Sequence, residues 1–140
     1  MYKHVLLVAE LTALAQKVTE EAAEMSKTYS SKLTLAHVIE DIPTYDHPLA
    51  ADMKNRVVMR AKKEIAKLGK KLGVAETEQR IEYGPIKKQV LKLAKELDID
   101  LIIVGSHARH GFSHLLNSSA NAIMEAAECD VLIMRVNAEI

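Results

Sequence analysis

Gly105, His107, His110, His114 and the adjacent pair Ser118 and Ser119 are gathered in one stretch, LIIVGSHARHGFSHLLNSS, residues 101–119. Gly105 closes a β-branched run that reads as a buried strand, and the serine pair heads a helical pattern. Strand, glycine and serine-capped helix in that order is a layout that holds anions. Backbone N–H groups and the helix dipole both face the ligand there, and the dipole favours an anion by about 0.3–1 kcal/mol. A glycine lets phosphate oxygens reach the backbone and permits positive φ. Phosphate or sulfate at the mouth of the fourth helix is therefore the ligand suggested. The alternative is that Ser118 or Ser119 is simply the N-cap of that helix.

Other chemistry finds less support. His107, His110 and His114 are spaced i, i+3, i+7, which on a helix would align three imidazoles as metal ligands. They fall in an expected loop with no carboxylate or cysteine close in sequence, so no metal is expected. His37 lies within an apolar strand pattern and reads as a hydrogen-bonded core histidine rather than a base. Cys129 sits between Glu128 and Asp130, whose charges disfavour a thiolate, so it is not expected to be a nucleophile. No Ser/His/Asp set, paired acid/base carboxylates or P-loop can be assembled. No catalytic residue and no enzymatic activity are expected.

The elements that must position the stretch follow from periodicity. HVLLVA (4–9) is a short apolar run of the kind covered on both faces. Leu11, Leu14, Ala15, Val18, Ala22 and Met25 recur at helical spacing, with Thr12 as the expected cap. KLTLAHV (32–38) reads as a second strand, and EDIPTYDHPL (40–49) as a long connection of the kind that forms lids. A long helix follows, with Met53, Val57, Ala61, Ile65, Leu68 and Leu72 inward and Gly73 ending it. Its outer face carries Lys54, Arg56, Arg60, Lys62, Lys63, Lys67, Lys70 and Lys71. That reads as a solvated face, with an acidic partner as the alternative. TEQRIEY (77–83) is a short charged strand, and Gly84-Pro85 starts a third helix with Ile86, Val90, Leu93, Ala94 and Leu97 inward. LIIV (101–104), a fourth helix burying Ala120, Ile123, Met124 and Ala127, and VLIMRV (131–136) complete the chain.

Strands alternating with helices predict an α/β fold, a single-domain three-layer sandwich over residues 1–140 with a five-stranded parallel sheet and helices on both faces. If VLIMRV is an edge, its apolar residues need a cover. The simplest is a second copy paired along Val131, Leu132, Ile133, Met134, Arg135 and Val136, giving a homodimer; the alternative is an interior strand. Hydrophobic residues make up 49% of the chain and charged residues 27%, ordinary for a soluble domain. The zero formal net charge argues against nucleic acid as the main partner. A lone cysteine precludes an intrachain disulfide and suits a reducing, cytoplasmic setting. The opening MYKHVLLVAE lacks a signal-peptide pattern and no run is long enough to span a membrane, so no membrane association is expected.

YKHVLLVAELT at the start and DIDLIIVGSH with LLNSSANAIMEAAECDVLIMRV at the end resemble the universal stress protein family. The resemblance implies sheet order 3-2-1-4-5, the adenine nucleotide alpha hydrolase-like fold, and dimers joined through the fifth strands. Nucleotide-binding members carry a glycine, two residues, a second glycine, nine residues, then Gly-Ser or Gly-Thr. Here Gly105 opens the frame, Ser106 and His107 are the spacer, Ala108 replaces the second glycine, and Ser118-Ser119 replaces Gly-Ser. The family's aspartate after the first strand is Glu10, and Val38 keeps the apolar residue expected near an adenine. These changes resemble the universal stress protein A subgroup, which implies a stress-response binding or regulatory module without a cofactor or tight ATP binding. Ala108 would flatten the loop, the Ser118 side chain would fill phosphate space, and Glu10 would bring a negative charge closer. The alternative is an ATP- or AMP-binding member with weak ATPase or switch behaviour, using Glu10, Val38, Gly105, Ser118 and Ser119, with Arg109 and the histidines adding charge and Gly111 flexibility.

Overall fold

Val5, Leu6, Leu7 and Val8 are all buried, which a strand covered on one face could not achieve. Val5 and Leu7 pack into one apolar cluster, Leu6 and Val8 into another, following the two-residue alternation of a strand. The computed structural model describes residues 1–12, 15–40, 50–108 and 118–137. Its elements are β1 (His4–Val8), α1 (Gln16–Thr28), β2 (Lys32–Ile39), α2 (Ala50–Leu72), β3 (Gln79–Tyr83), α3 (Ile86–Glu96), β4 (Leu101–Ala108), α4 (Ser118–Ala126) and β5 (Asp130–Asn137). The strands form a parallel sheet of order β3-β2-β1-β4-β5. Val18 and Ala22 of α1 and Ile65 of α2 cover one face, while Val90 and Leu93 of α3 and Ala120 and Ile123 of α4 cover the other. The order makes β5 an edge and excludes the interior alternative. The short, charged β3 is the other edge.

Several expectations are corrected. β4 does not stop at Gly105; it pairs with β5 from Leu101↔Asp130 to Ala108↔Asn137. The segment before β3 is a 3-10 turn, Glu76–Glu78, not strand. Thr12 does not cap α1: Ala15 is the N-cap with no side-chain hydrogen bond, and Thr12 offers only its carbonyl to the Ala15 N–H, at 3.2 Å. Met53 and Met124 are 48% and 49% exposed, each at the border of its helix's apolar stripe rather than in its middle. Gly73 does follow the last residue of α2, with φ +74°, a conformation glycine adopts without penalty. Of the connection 40–49, only Glu40 lies within the described residues, so the expected lid falls outside them.

Polar side chains tie the strand-beginning end of the sheet. Asp100 accepts the backbone N–H groups of Lys3 at 2.8 Å and His4 at 3.0 Å, and the Asp100 N–H returns to the His4 carbonyl at 3.0 Å. The His4 ring lies with Nδ1 3.0 Å from the Leu97 carbonyl and Nε2 2.7 Å from Thr34 Oγ1. The buried Thr34 hydroxyl donates to Glu78, which also pairs with Lys32 at 3.1 Å. Burial alone would raise the Asp100 carboxyl; the hydrogen bonds from Lys3 and His4 outweigh it and hold the group below its ordinary value.

A lowered carboxylate contributes stability above its unfolded-state value and loses it as the pH falls through the folded-state value. Asp100→Asn should therefore be less stable than the parent in urea at neutral pH, with the gap closing as the pH falls below the ordinary 3.8. A gap independent of pH would show that the carboxylate charge plays no part.

Candidate functional site

β1 and β4 are neighbours, and the chain leaves them for opposite faces, through α1 and α4. Their carboxyl ends must therefore part, and ligands of open α/β sheets bind in such a crevice. A cavity of about 300 Å³ lies there, lined by Glu10 beyond β1, Val38 in β2, Gly105 in β4 and Ser119 in α4. These four sequence-expected residues are thus brought together from four separate parts of the chain. Its volume is at the small end of the range for small-molecule sites. Val8, Val104 and Ile86 supply apolar wall, and Glu40 joins Glu10 as a second carboxylate.

Positive φ, one of the two reasons expected for the glycine, does not apply. Gly105 sits in regular strand pairing with Met134, and among the described residues the positive-φ glycines are Gly73 and Gly84. What a side chain would meet is close neighbours. A Cβ at Gly105 would lie 3.0 Å from Val136 Cγ2, 3.6 Å from Val18 Cγ2 and 3.9 Å from Glu10 Oε1. The contact with Glu10 puts that carboxylate beside the part of β4 that would cradle a phosphate. Glu10 also borders a second cavity, about 280 Å³, between α1 and α2 with Lys67 and Lys71 among its walls.

His37 is hydrogen-bonded as expected, with Nδ1 2.8 Å from the Ala9 carbonyl. Because a carbonyl only accepts, Nδ1 carries the hydrogen. His37 nonetheless borders the crevice, as do Glu40 and Ile86, none of which the sequence reading assigned to it. The available signal was position: each lies at or just beyond the carboxyl end of β2, or opens α3 after β3.

His107 and Ala108 end β4, opposite Val136 and Asn137, and Ser118 begins α4; their side chains lie outside the described residues, as do Arg109, His110, Gly111 and His114. Among the described residues no group of three or more histidines, cysteines or acids could hold a metal ion. The Cys129 thiol is pushed up, by burial first and then by Asp130 and Asp100. The direction is the expected one, but Asp100 takes the part assigned to Glu128. Along β5, Val131, Leu132, Ile133 and Met134 are half-buried and Arg135 is exposed, whereas Val136 is 3% exposed and packs into the chain's own core.

The model of the universal stress protein family matches residues 1–135. Universal stress protein A homolog 1 of Coxiella burnetii is 36% identical over 136 residues, covering 94% of each chain. Among solved structures, universal stress protein UspA from Lactobacillus plantarum superimposes with TM-score 0.78 at 22% identity, over 96% of this chain and 98% of that one. A universal stress protein in complex with cAMP does so with TM-score 0.68 at 20% identity, over 95% and 96%. At these identities the structures speak for the fold.

Gly105→Ala should destabilise the protein by about 1–3 kcal/mol, the usual range for overpacking. Adding Val136→Ala should recover part of that loss, measured as a coupling in a urea double-mutant cycle. Strictly additive losses would show that the Val136 contact is not the constraint.

Proposed function

The chain belongs to the universal stress protein family, which gives it a stress-response role, and on that premise we propose that it is a cytosolic, homodimeric binding and regulatory module that does not hold ATP tightly. The observation that carries this reading is the placement of Glu10 Oε1 beside Gly105, 3.9 Å from where a Cβ would stand. Two carboxylates on one crevice, Glu10 and Glu40, raise the cost of bringing a polyphosphate into it. The substitutions at Ala108 and Ser118 act in the same direction, since each replaces a family glycine with a residue that has a side chain. The reading is of binding rather than catalysis, in keeping with the stress-response role of the family.

A second reading is favoured by the cavity itself. Val38, Ile86 and Val104 offer apolar wall for one ring, while Ser119 in the first turn of α4 stands where a single phosphate or sulfate would gain from the dipole. A nucleoside monophosphate or a cyclic nucleotide such as cAMP, bound by one structurally similar family member, fits that division better than a triphosphate. The dimer reading rests on β5, an edge with four half-buried apolar residues in succession, which needs a cover that a second copy supplies.

Titrating the purified protein with ATP and magnesium, AMP and cAMP tests the first reading. We expect no saturable ATP binding at about micromolar concentrations, and Ala108→Gly combined with Ser118→Gly should bring some affinity back. Tight ATP binding by the parent would overturn it. Sedimentation should show weakened association for Leu132→Lys and for Ile133→Lys; unchanged dimers in both would remove β5 as the interface.

A further inference from the structure

α2 carries eight cations, Lys54, Arg56, Arg60, Lys62, Lys63, Lys67, Lys70 and Lys71, against two acids, Asp52 and Glu64. All eight cations are exposed. Three are engaged within the chain: Lys54 lies over the Tyr83 ring at 4.3 Å, Lys67 pairs with Glu64 at 3.7 Å and Lys71 with Glu20 at 3.8 Å. Arg56, Arg60, Lys62, Lys63 and Lys70 have no ion pair among the described residues. Arg56, Arg60, Lys63, Lys67 and Lys70 follow one another at alternating steps of four and three residues, so they form one stripe about 21 Å long. Beside the stripe, three residues from Arg56 and four from Lys63, Met59 is 70% exposed.

We propose that the outer face of α2 docks an acidic amphipathic helix of a partner protein, with the stripe pairing its carboxylates and Met59 taking an apolar side chain. The spacing suits a helix, since acids every three or four residues repeat along a partner helix about every 5.3 Å, the same interval as the stripe. Met59 points to a protein as well, because an unbranched, polarizable side chain adapts to varied apolar partners and gives nothing specific to a phosphate chain. Charge distribution agrees. The chain's formal net charge is zero, so the surplus of cations on α2 is matched by a surplus of acids elsewhere. A long polyanion following the surface would meet those acids, while a short helix on α2 would be screened from them beyond about 8–10 Å.

The test uses two peptides of identical composition and net charge on the full-length protein at low ionic strength. One carries its glutamates at steps of three and four along one helical face with a leucine among them; the other spreads them around the helix. The striped peptide should bind at least about tenfold more tightly. Arg60→Glu with Lys63→Glu should abolish the difference, and Met59→Ala should weaken striped-peptide binding without altering its salt dependence. Circular dichroism melts of the variants, which alter exposed positions only, should match the parent. Equal affinity for the two peptides, absence of binding to either, or undiminished binding by the double charge reversal would overturn the proposal. Tighter binding of a single-stranded oligonucleotide of equal charge would overturn the choice of a protein partner.

Discussion

At Gly105 three parts of the molecule approach to within one methyl group of each other. Val136 reaches in from β5, Val18 from α1 and the Glu10 carboxylate from the end of β1. A side chain there would have to move at least one of them, and each serves something else. Val136 holds the far end of the edge strand against the core, Val18 anchors α1 to the sheet, and Glu10 borders the crevice. The edge strand and the crevice are therefore set by one clearance. Because β4 continues to Ala108 in register with β5, the chain approaching the crevice from β4 is backed by edge-strand hydrogen bonds over its whole length.

The two ends of the sheet are built differently. At the strand-beginning end, Asp100, His4, Thr34, Glu78 and Lys32 form a connected set of hydrogen bonds and an ion pair, so the buried Thr34 hydroxyl is satisfied and four segments are held in register. A buried polar group without partners would weaken the core by about 1–3 kcal/mol. At the strand-finishing end, the departures of α1 and α4 to opposite faces leave a gap that side chains only partly fill. His37 bridges β2 to the Ala9 carbonyl beside that gap, which ties the strand ends together while leaving the cavity open. One end of the sheet is thus tied by polar side chains, while the other carries the crevice between parting strands.

Much of this was legible in the residues. Apolar runs and helical spacing identified each strand and helix, and family resemblance supplied the sheet order that the structure shows. It also picked out Glu10, Val38, Gly105 and Ser119, which do line one cavity. The failures have physical causes. Thr12 has a capping side chain, but α1 begins at Gln16, after Ala15, too late for Thr12 to reach its first N–H groups. Met53 and Met124 have apolar side chains at helical spacing, but periodicity cannot distinguish the middle of a stripe from its margin. Cys129 has two acids beside it in sequence, yet burial and the more distant Asp100 do more than Glu128.

What the sequence alone determined is therefore everything that depends on neighbours along the chain: the elements, the basic stripe of α2, the left-handed residue after it, and the absence of family glycines at Ala108 and Ser118. Local periodicity and backbone preference are written in consecutive residues. Tertiary structure decided what depends on residues far apart: that a side chain at Gly105 would crowd Val136 while φ is no constraint there, that Glu10 stands beside it, that His37 and Glu40 border the crevice, and that Val136 belongs to the core. Such contacts are set by how close two packed elements come, and a difference of a few tenths of an ångström, invisible in any one segment, decides them.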